Sequence, residues 1–205
     1  PLALMNILYI CSAGARRSAT LSAYSNHYAR ECGLPDLRFS CAGMSEEQRS
    51  RDEKKKQGRL DKIESVCFGT YDPLVQRLRS STTNVHPRMG VLLLEDHIDS
   101  ILDQRMFIAR TDILVAFNLL LPVDTPVQQQ VFSRTGIGSK TVLEYLYDQG
   151  TSRDINEVRY ILPFTRYQLA KDRTFRDNLK TIARNVVRKV ASTEMLKREH
   201  SSERL

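Results

Sequence analysis

The chain of 205 residues is 41% hydrophobic and 27% charged, and its formal net charge is +7. This composition is ordinary for a globular protein, and the length suits one well-buried domain over residues 1–205. No apolar run approaches the roughly 20 residues that a membrane-spanning helix needs, and the first apolar stretch lacks the basic leader of a signal peptide. We therefore expect no membrane association, and the mildly basic charge alone does not predict nucleic-acid binding.

The cysteines and histidines argue against a disulfide framework and against a metal site. Neither a CxxC pair nor a zinc-ligand spacing occurs, and the four histidines are scattered along the chain. The sequence predicts free thiols in a reducing cytoplasm, with no metal and no cofactor. The cysteines are Cys11, Cys32, Cys41 and Cys67.

The first 43 residues carry the pattern of a strand, a helix and a second strand. The run "MNILYI" is apolar over the length of a buried strand and ends at Cys11. Apolar residues then recur at helical spacing from Ser18 to Cys32, and "LRFSCAG" alternates up to Gly43. This order predicts a βαβ unit with parallel strands.

The rest of the chain is harder to assign. Residues 45–65 contain seven basic and six acidic side chains, so they form either a solvated helix or a mobile insertion. Residues 72–79 fit a short helix, and "TDILVAF" at 111–117 has the pattern of an interior strand. Two segments, 139–150 and 158–164, compete for a fourth strand.

The last segment, 172–205, is expected to be a basic amphipathic helix and tail. Its apolar residues recur at helical spacing to about residue 197, and its other face is rich in Arg and Lys. Such a face is usually solvated, although it would also attract an acidic partner. The predicted fold is α/β, a three-layer sandwich with a central four-stranded parallel sheet, in which a loop of small residues joins the first strand to the first helix.

That loop carries the clearest chemical signal. Between a parallel strand and a helix, backbone N–H groups point at the helix N-terminus, where the dipole favours anions. Small residues let the backbone wrap around a phosphate, and Arg17 can hold it bidentately. The positive end of the helix dipole favours the thiolate form of Cys11, which is the nucleophile, and Ser18 can hydrogen-bond its sulfur. The alternative is a cysteine buried for packing alone. The predicted phosphate-binding residues are Ser12, Ala13, Gly14, Ala15, Arg16 and Arg17.

The stretch "ILYICSAGARRS" resembles the amino-terminal signature of the low-molecular-weight protein tyrosine phosphatases, an apolar strand followed by Cys-x5-Arg-Ser and a helix. Weaker similarity continues in "FSCAG", "ARTDILVAF" and "TVLEYLYDQGTSRDINE". The resemblance implies a phosphomonoester hydrolase that forms a cysteinyl-phosphate on Cys11. Its substrate would be a phosphotyrosine protein or a small phosphate ester, and no cofactor would be needed.

Two departures from that family concern the loop and the general acid. The family usually has Asn where this chain has Gly14, and its acid is an Asp commonly followed by Pro after the fourth strand. The only Asp-Pro here begins at Asp72, too early in the order of elements, and fits a turn or helix start. Glu157 stands where the acid is expected, with Asp154 three residues before it and Asp172 a weaker candidate.

Two other functions remain open at this point. Thiol-dependent arsenate reductases share the scaffold but need resolving cysteines, and residues 117–130 contain none. A phosphate-binding pseudo-phosphatase, which would recognise a phosphorylated partner without turnover, would keep the loop and lack the acid.

Overall fold

The computed structural model of the chain describes residues 4–67, 69–147, 155 and 166–202, with side chains in the last helix described over 169–193. The candidate acids Glu157 and Asp154 and the candidate strand 158–164 lie outside the described residues.

The core of the fold is a four-stranded parallel sheet, as the sequence predicted. Its strands are β1 (Met5–Cys11), β2 (Leu37–Gly43), β3 (Phe107–Ile108) and β4 (Leu119–Pro122), in the spatial order β3-β2-β1-β4. In the β1–β2 register Cys11 lies opposite Gly43, and Ile10 pairs with Pro122 of β4. The carboxyl ends of β1, β2 and β4 therefore meet at one edge of the sheet, where parallel α/β sheets bind ligands.

Helices surround the sheet on both faces. They are α1 (Arg17–Glu31), α2 (Glu46–Lys54), α3 (Lys56–Cys67), α4 (Asp72–Arg79), α5 (Pro87–Glu95), the 3₁₀ turn Asp99–Leu102, α6 (Thr111–Leu114), α7 (Thr125–Thr135), α8 (Val142–Tyr147) and α9 (Arg166–Ser202). Among the described helices, none combines the length and apolar character needed to cross a membrane.

The alternating side chains of β1 divide the core into two parts. Ile7 and Tyr9 face the larger cluster, which α1, α5 and α9 cover, while Leu8 and Ile10 face a smaller one under α6 and α7. All four side chains are fully buried, as expected for a central parallel strand covered on both faces. The result is the predicted three-layer arrangement.

The interior strand predicted at 111–117 is wrong. Thr111–Leu114 forms helix α6, and the strand lies just beyond it at Leu119–Pro122. Leu114 packs into the smaller core, but Val115 is 59% exposed, so the run is not buried along its length. A short apolar run fits either a strand or a helix, and here tertiary packing decided.

The strand candidate at 139–150 is also incorrect, because Val142–Tyr147 is helix α8. Thr141 Oγ1 accepts a hydrogen bond from the Glu144 backbone N–H, and the Glu144 carboxylate accepts from the Thr141 N–H. These reciprocal bonds form a capping box, which fixes the start of a helix. The Thr-x-x-Glu spacing was visible in the sequence.

The polar segment 45–65 is helical. It forms α2, which buries none of its residues, and most of α3, which packs Leu60 and Ile63 into the larger core. Asp72 lies in the first turn of α4, in agreement with its predicted role at a helix start. The amphipathic C-terminal helix is present and begins at Arg166, earlier than predicted.

Candidate active site

The loop between Cys11 and Arg17 is fixed by backbone hydrogen bonds from two other parts of the chain. Met44 N–H donates to the Cys11 carbonyl and Ser45 N–H to that of Ser12, both at 3.1 Å. From the other side, His86 N–H donates to the Ala15 carbonyl at 2.8 Å. The loop conformation is therefore held by the segment after β2 and by the start of α5.

Gly14 is the residue on which the shape of the loop depends. Its φ is +75°, a conformation that favours glycine, and a Cβ there would lie 1.8 Å from the Met106 sulfur. Met106 thus fills the space beside residue 14, where the resembling family usually has an asparagine side chain. Gly43 is equally constrained, since a Cβ there would lie 2.6 Å from the Ala13 carbonyl oxygen.

The Cys11 sulfur lies inside this loop among hydrogen-bonding groups. The Gly14 N–H donates to Sγ at 3.1 Å, and Ser18 Oγ is 3.1 Å from the same sulfur. Ser18 also contacts the Gly14 carbonyl oxygen at 3.1 Å. The sulfur thus accepts a backbone N–H bond beside the N-terminus of α1, where helix N–H groups favour bound anions. This differs from a cysteine surrounded by apolar packing alone.

Arg17 is held by a residue that the sequence analysis missed. Its Nη1 donates to Asp124 Oδ2 at 2.6 Å and to the Ile155 carbonyl at 2.9 Å. Asp124 follows β4 and caps α7, because its Oδ1 accepts from the Val127 N–H at 3.0 Å. Both charged side chains are about nine-tenths buried. An Asp after an apolar run and before Thr-Pro is a helix N-cap signal that would have located it.

The side chain of Arg16 is bonded to a residue outside the loop, and its predicted part in phosphate binding stays a prediction. Its Nη2 bonds Asp172 Oδ1 at 2.6 Å, and its guanidinium lies over the Phe175 ring. Asp172 is fully buried and also pairs with Arg88 at 3.3 Å. A carboxylate fixed between two guanidinium groups favours a structural role for Asp172 over proton donation.

None of the remaining cysteines is bonded to Cys11. All four are free, and burial raises the pKa of the Cys41 thiol to about 12 despite a hydrogen bond from Gln104. Cys67 is buried in α3, and Cys32 is exposed after α1. Among the described residues, no group of His, Cys, Asp or Glu side chains is arranged to hold a metal ion.

Solved structures with this architecture match nearly the whole chain. YfkJ from Bacillus subtilis aligns with a TM-score of 0.60 and 14% identity, over 93% of this chain and 97% of that one. A low-molecular-weight protein tyrosine phosphatase from Bacillus subtilis aligns with a TM-score of 0.55 and 18% identity, over 92% and 98%. The chain has the low-molecular-weight protein tyrosine phosphatase fold.

An arginine phosphatase shares this phosphatase fold. YwlE from Geobacillus stearothermophilus aligns with a TM-score of 0.58 and 17% identity, over 95% of this chain and 96% of that one. Another YwlE structure is a cysteine-to-serine mutant whose active-site serine is phosphorylated. No protein-family model matches the sequence, and no curated protein matches it either. Structural similarity at such low identity establishes the fold, and the activity must be argued from the loop itself.

Proposed function

We propose that the chain is a phosphomonoester hydrolase that works through a cysteinyl-phosphate on Cys11, acting on phosphotyrosine protein or a small phosphate ester. The observation that carries the proposal is the Cys11 sulfur, 3.1 Å from both the Gly14 N–H nitrogen and Ser18 Oγ. A phosphorylated serine in the place of a neighbour's active-site cysteine supports the same chemistry.

In the first step the Cys11 thiolate attacks phosphorus in line with the departing oxygen. The equatorial phosphate oxygens are bound by loop N–H groups at the N-terminus of α1, and the small residues Ser12, Ala13 and Ala15 let the backbone wrap closely around them. Asp124 and the Ile155 carbonyl both accept hydrogen bonds from Nη1 of Arg17. The Nη2–Nε edge of the guanidinium is then the part that binds the phosphate.

The leaving oxygen needs a proton as its bond to phosphorus breaks. We assign this role to Glu157 or Asp154, on the grounds given by the sequence. Asp154 is covalently joined to Ile155, whose carbonyl accepts from Arg17, and this supports placing the acid in that segment. In the second step the same carboxylate takes a proton from water, which attacks phosphorus and releases the Cys11 thiolate and inorganic phosphate.

A phosphate-binding module without turnover is the second candidate. It is favoured by one observation, that Asp124 and Asp172, the carboxylates that contact Arg17 and Arg16, are both engaged in buried ion pairs. An arsenate reductase is less well supported, because Cys41 is buried with a raised pKa of about 12 and so makes a poor resolving thiol.

The test is hydrolysis of p-nitrophenyl phosphate between about pH 4.5 and 8 by the wild type and four variants. We expect Cys11→Ser to abolish turnover and Glu157→Gln or Asp154→Asn to reduce it, whereas Cys32→Ser, at an exposed cysteine, serves as the control. Turnover that survives Cys11→Ser would refute the mechanism. A wild type that binds vanadate but hydrolyses nothing would establish the binding module instead.

A further inference from the structure

A second group of polar side chains lies beside the phosphate loop. Arg59 comes from α3, His86 from the residue before α5, and Arg16 and Arg88 from the starts of α1 and α5. His86 connects this group to the loop, since its backbone N–H donates to the Ala15 carbonyl at 2.8 Å. We call Arg59 and His86 the rear pair.

Both members of the rear pair have a buried nitrogen that no described residue bonds. Arg59 donates to Asp52 through Nη2 at 2.8 Å, but its Nη1 has no hydrogen-bond partner among the described residues. The same holds for His86 Nδ1. Buried donors and acceptors are nearly always paired, and leaving a charged donor unpaired is costly, so two such nitrogens in residues whose charges interact point to a ligand.

The surrounding charge favours an anion. Burial, together with the charges of Arg16, Arg59 and Arg88, lowers the pKa of His86 well below its usual value. These three guanidinium groups act on one imidazole, and among the described residues they outnumber the two carboxylates with which they pair, Asp172 and Asp52. A neutral imidazole can carry its proton on Nδ1 and donate it, as Arg59 Nη1 donates. Arg59 keeps 28% of its side chain exposed, so the residue that carries the buried Nη1 borders solvent.

We propose that Arg59 and His86 form a second oxyanion site beside the phosphate loop, which takes a phosphate or sulfate group. The group comes either from a free ion or from a second phosphoryl group on the substrate. Only the substrate source rests on the proposed hydrolase function. The site would be coupled to the loop through the bond from His86 to Ala15.

The first experiment counts bound ions without using turnover. Radiolabelled sulfate is dialysed to equilibrium against the Cys11→Ser protein, alone and with Arg59→Gln, His86→Gln, Arg17→Ala or Arg51→Gln. Arg51 is the matched control, an arginine on the neighbouring helix α2 whose side chain is 70% exposed. We expect Arg59→Gln to remove one bound ion per chain, His86→Gln to weaken the binding of that same ion, and Arg51→Gln to leave sulfate binding unchanged.

The two sites are distinguishable in this experiment. Arg17→Ala removes the ion bound in the loop and leaves the ion bound at the rear pair. The second ion is therefore detected whether or not the loop binds an oxyanion. An Arg59→Gln protein with the same number of bound ions as its parent overturns the proposal. Circular dichroism of each variant shows that the fold is retained.

The second experiment separates the two sources of the anion. Peptides with one or two phosphate groups are compared as substrates of the wild type, Arg59→Gln and Arg51→Gln. If the substrate supplies the group, Arg59→Gln lowers kcat/KM about tenfold for the doubly phosphorylated peptide alone, as expected for a lost charge-assisted hydrogen bond. If a free ion is the ligand, Arg59→Gln changes kcat/KM equally for the two peptides, and it still lowers the number of sulfate ions bound per chain.

Discussion

At the residue scale, Asp124 links the end of β4 to the phosphate loop. One carboxylate oxygen accepts from Arg17 at 2.6 Å and the other caps α7 through the Val127 N–H. Arginine side chains have many rotamers, and fixing one corner of the guanidinium in advance reduces the entropy lost when phosphate binds. Asp124 is thus a positioning residue for Arg17 in the proposed reaction.

We expect Asp124→Asn to lower kcat/KM by about 10- to 100-fold, because a misplaced Arg17 binds the transition state poorly. Asn can still accept the Val127 N–H bond, so helix α7 keeps its cap. Steady-state kinetics and vanadate inhibition measure the effect. The control is Asp112→Asn, whose carboxylate is 65% exposed and pairs with exposed Arg110. Equal kinetics for the two variants would contradict the role of Asp124.

Gly14 tests how closely the loop is packed. Its Cβ would strike Met106, whereas a Cβ at Gly136, which has a similar φ of +68°, meets nothing within 4 Å. Gly136→Ala should therefore lower the free energy of unfolding only by the cost of a side chain at positive φ, about 1 kcal/mol. Gly14→Ala adds overpacking of about 1 to 3 kcal/mol and should also impair vanadate binding. Urea denaturation of both variants checks this. Equal losses of stability would show that the Met106 side chain can move away from the added Cβ at little cost.

At the element scale, the basic face of α9 is largely used inside the molecule. Arg173 and Arg176 pair with Glu95, and Arg176 and Lys180 pair with Asp96, both acids lying at the end of α5. Arg184 lies over the Tyr28 ring at 4.9 Å. The acidic partner that the sequence left open is thus the chain's own α5 terminus, and these contacts fix α9 against α1 and α5.

Asp96 should make this packing pH-dependent. Burial tends to raise the pKa of Asp96, but hydrogen bonds from Tyr24 and Lys180 and the charge of Arg176 outweigh it and lower the pKa below 3.8. A depressed carboxyl pKa adds stability above the unfolded value, and that contribution is lost as the pH falls through the folded value. We expect Asp96→Asn to cost about 1 to 2 kcal/mol at neutral pH.

The measurement is urea denaturation of wild type and Asp96→Asn at neutral pH and at acid pH. The gap between the two proteins should shrink as the pH falls below 3.8. Asp177→Asn is the control, because that carboxylate is 59% exposed and contacts only its neighbour Arg176 among the described ion pairs. A gap that stays constant with pH would show that the charge of Asp96 is not what matters.

At the scale of the whole molecule, the phosphate loop is the point where separate parts of the chain meet. It is bonded to the segment after β2, to the start of α5 and, through Arg17 and Asp124, to the end of β4. A ligand in the loop should therefore oppose global unfolding. At a hundred times its Kd, such a ligand adds about 2.7 kcal/mol, which raises Tm by about 5 to 10 °C for a chain of this size.

We accordingly expect saturating vanadate to raise the Tm of the wild type by that amount. Arg17→Ala should show a much smaller rise, since it loses the bidentate contact to the oxyanion. Differential scanning calorimetry provides the measurement, with chloride at equal ionic strength as the blank. An unchanged wild-type Tm would mean that the loop does not bind the oxyanion, and both candidate functions would fall.

The sequence by itself determined the β1–loop–α1–β2 unit, because every signal in it is local. Apolar run length and helical spacing each act over a few neighbours, and the structure has the two strands and the helix that they predict. Where a short apolar run fitted either a strand or a helix, as at 111–117, the prediction from the sequence was wrong. Capping geometry and burial elsewhere in the chain decided those elements.

Only the tertiary structure decided the surroundings of the loop. Arg17 meets Asp124 across 107 positions, and Arg16 meets Asp172 across 156. No local pattern tells that Arg16 pairs with Asp172, or that Met106 fills the space beside Gly14. Such pairings depend on how the helices pack on the sheet, because a buried charge or a narrow gap is matched by whichever residue the fold brings there.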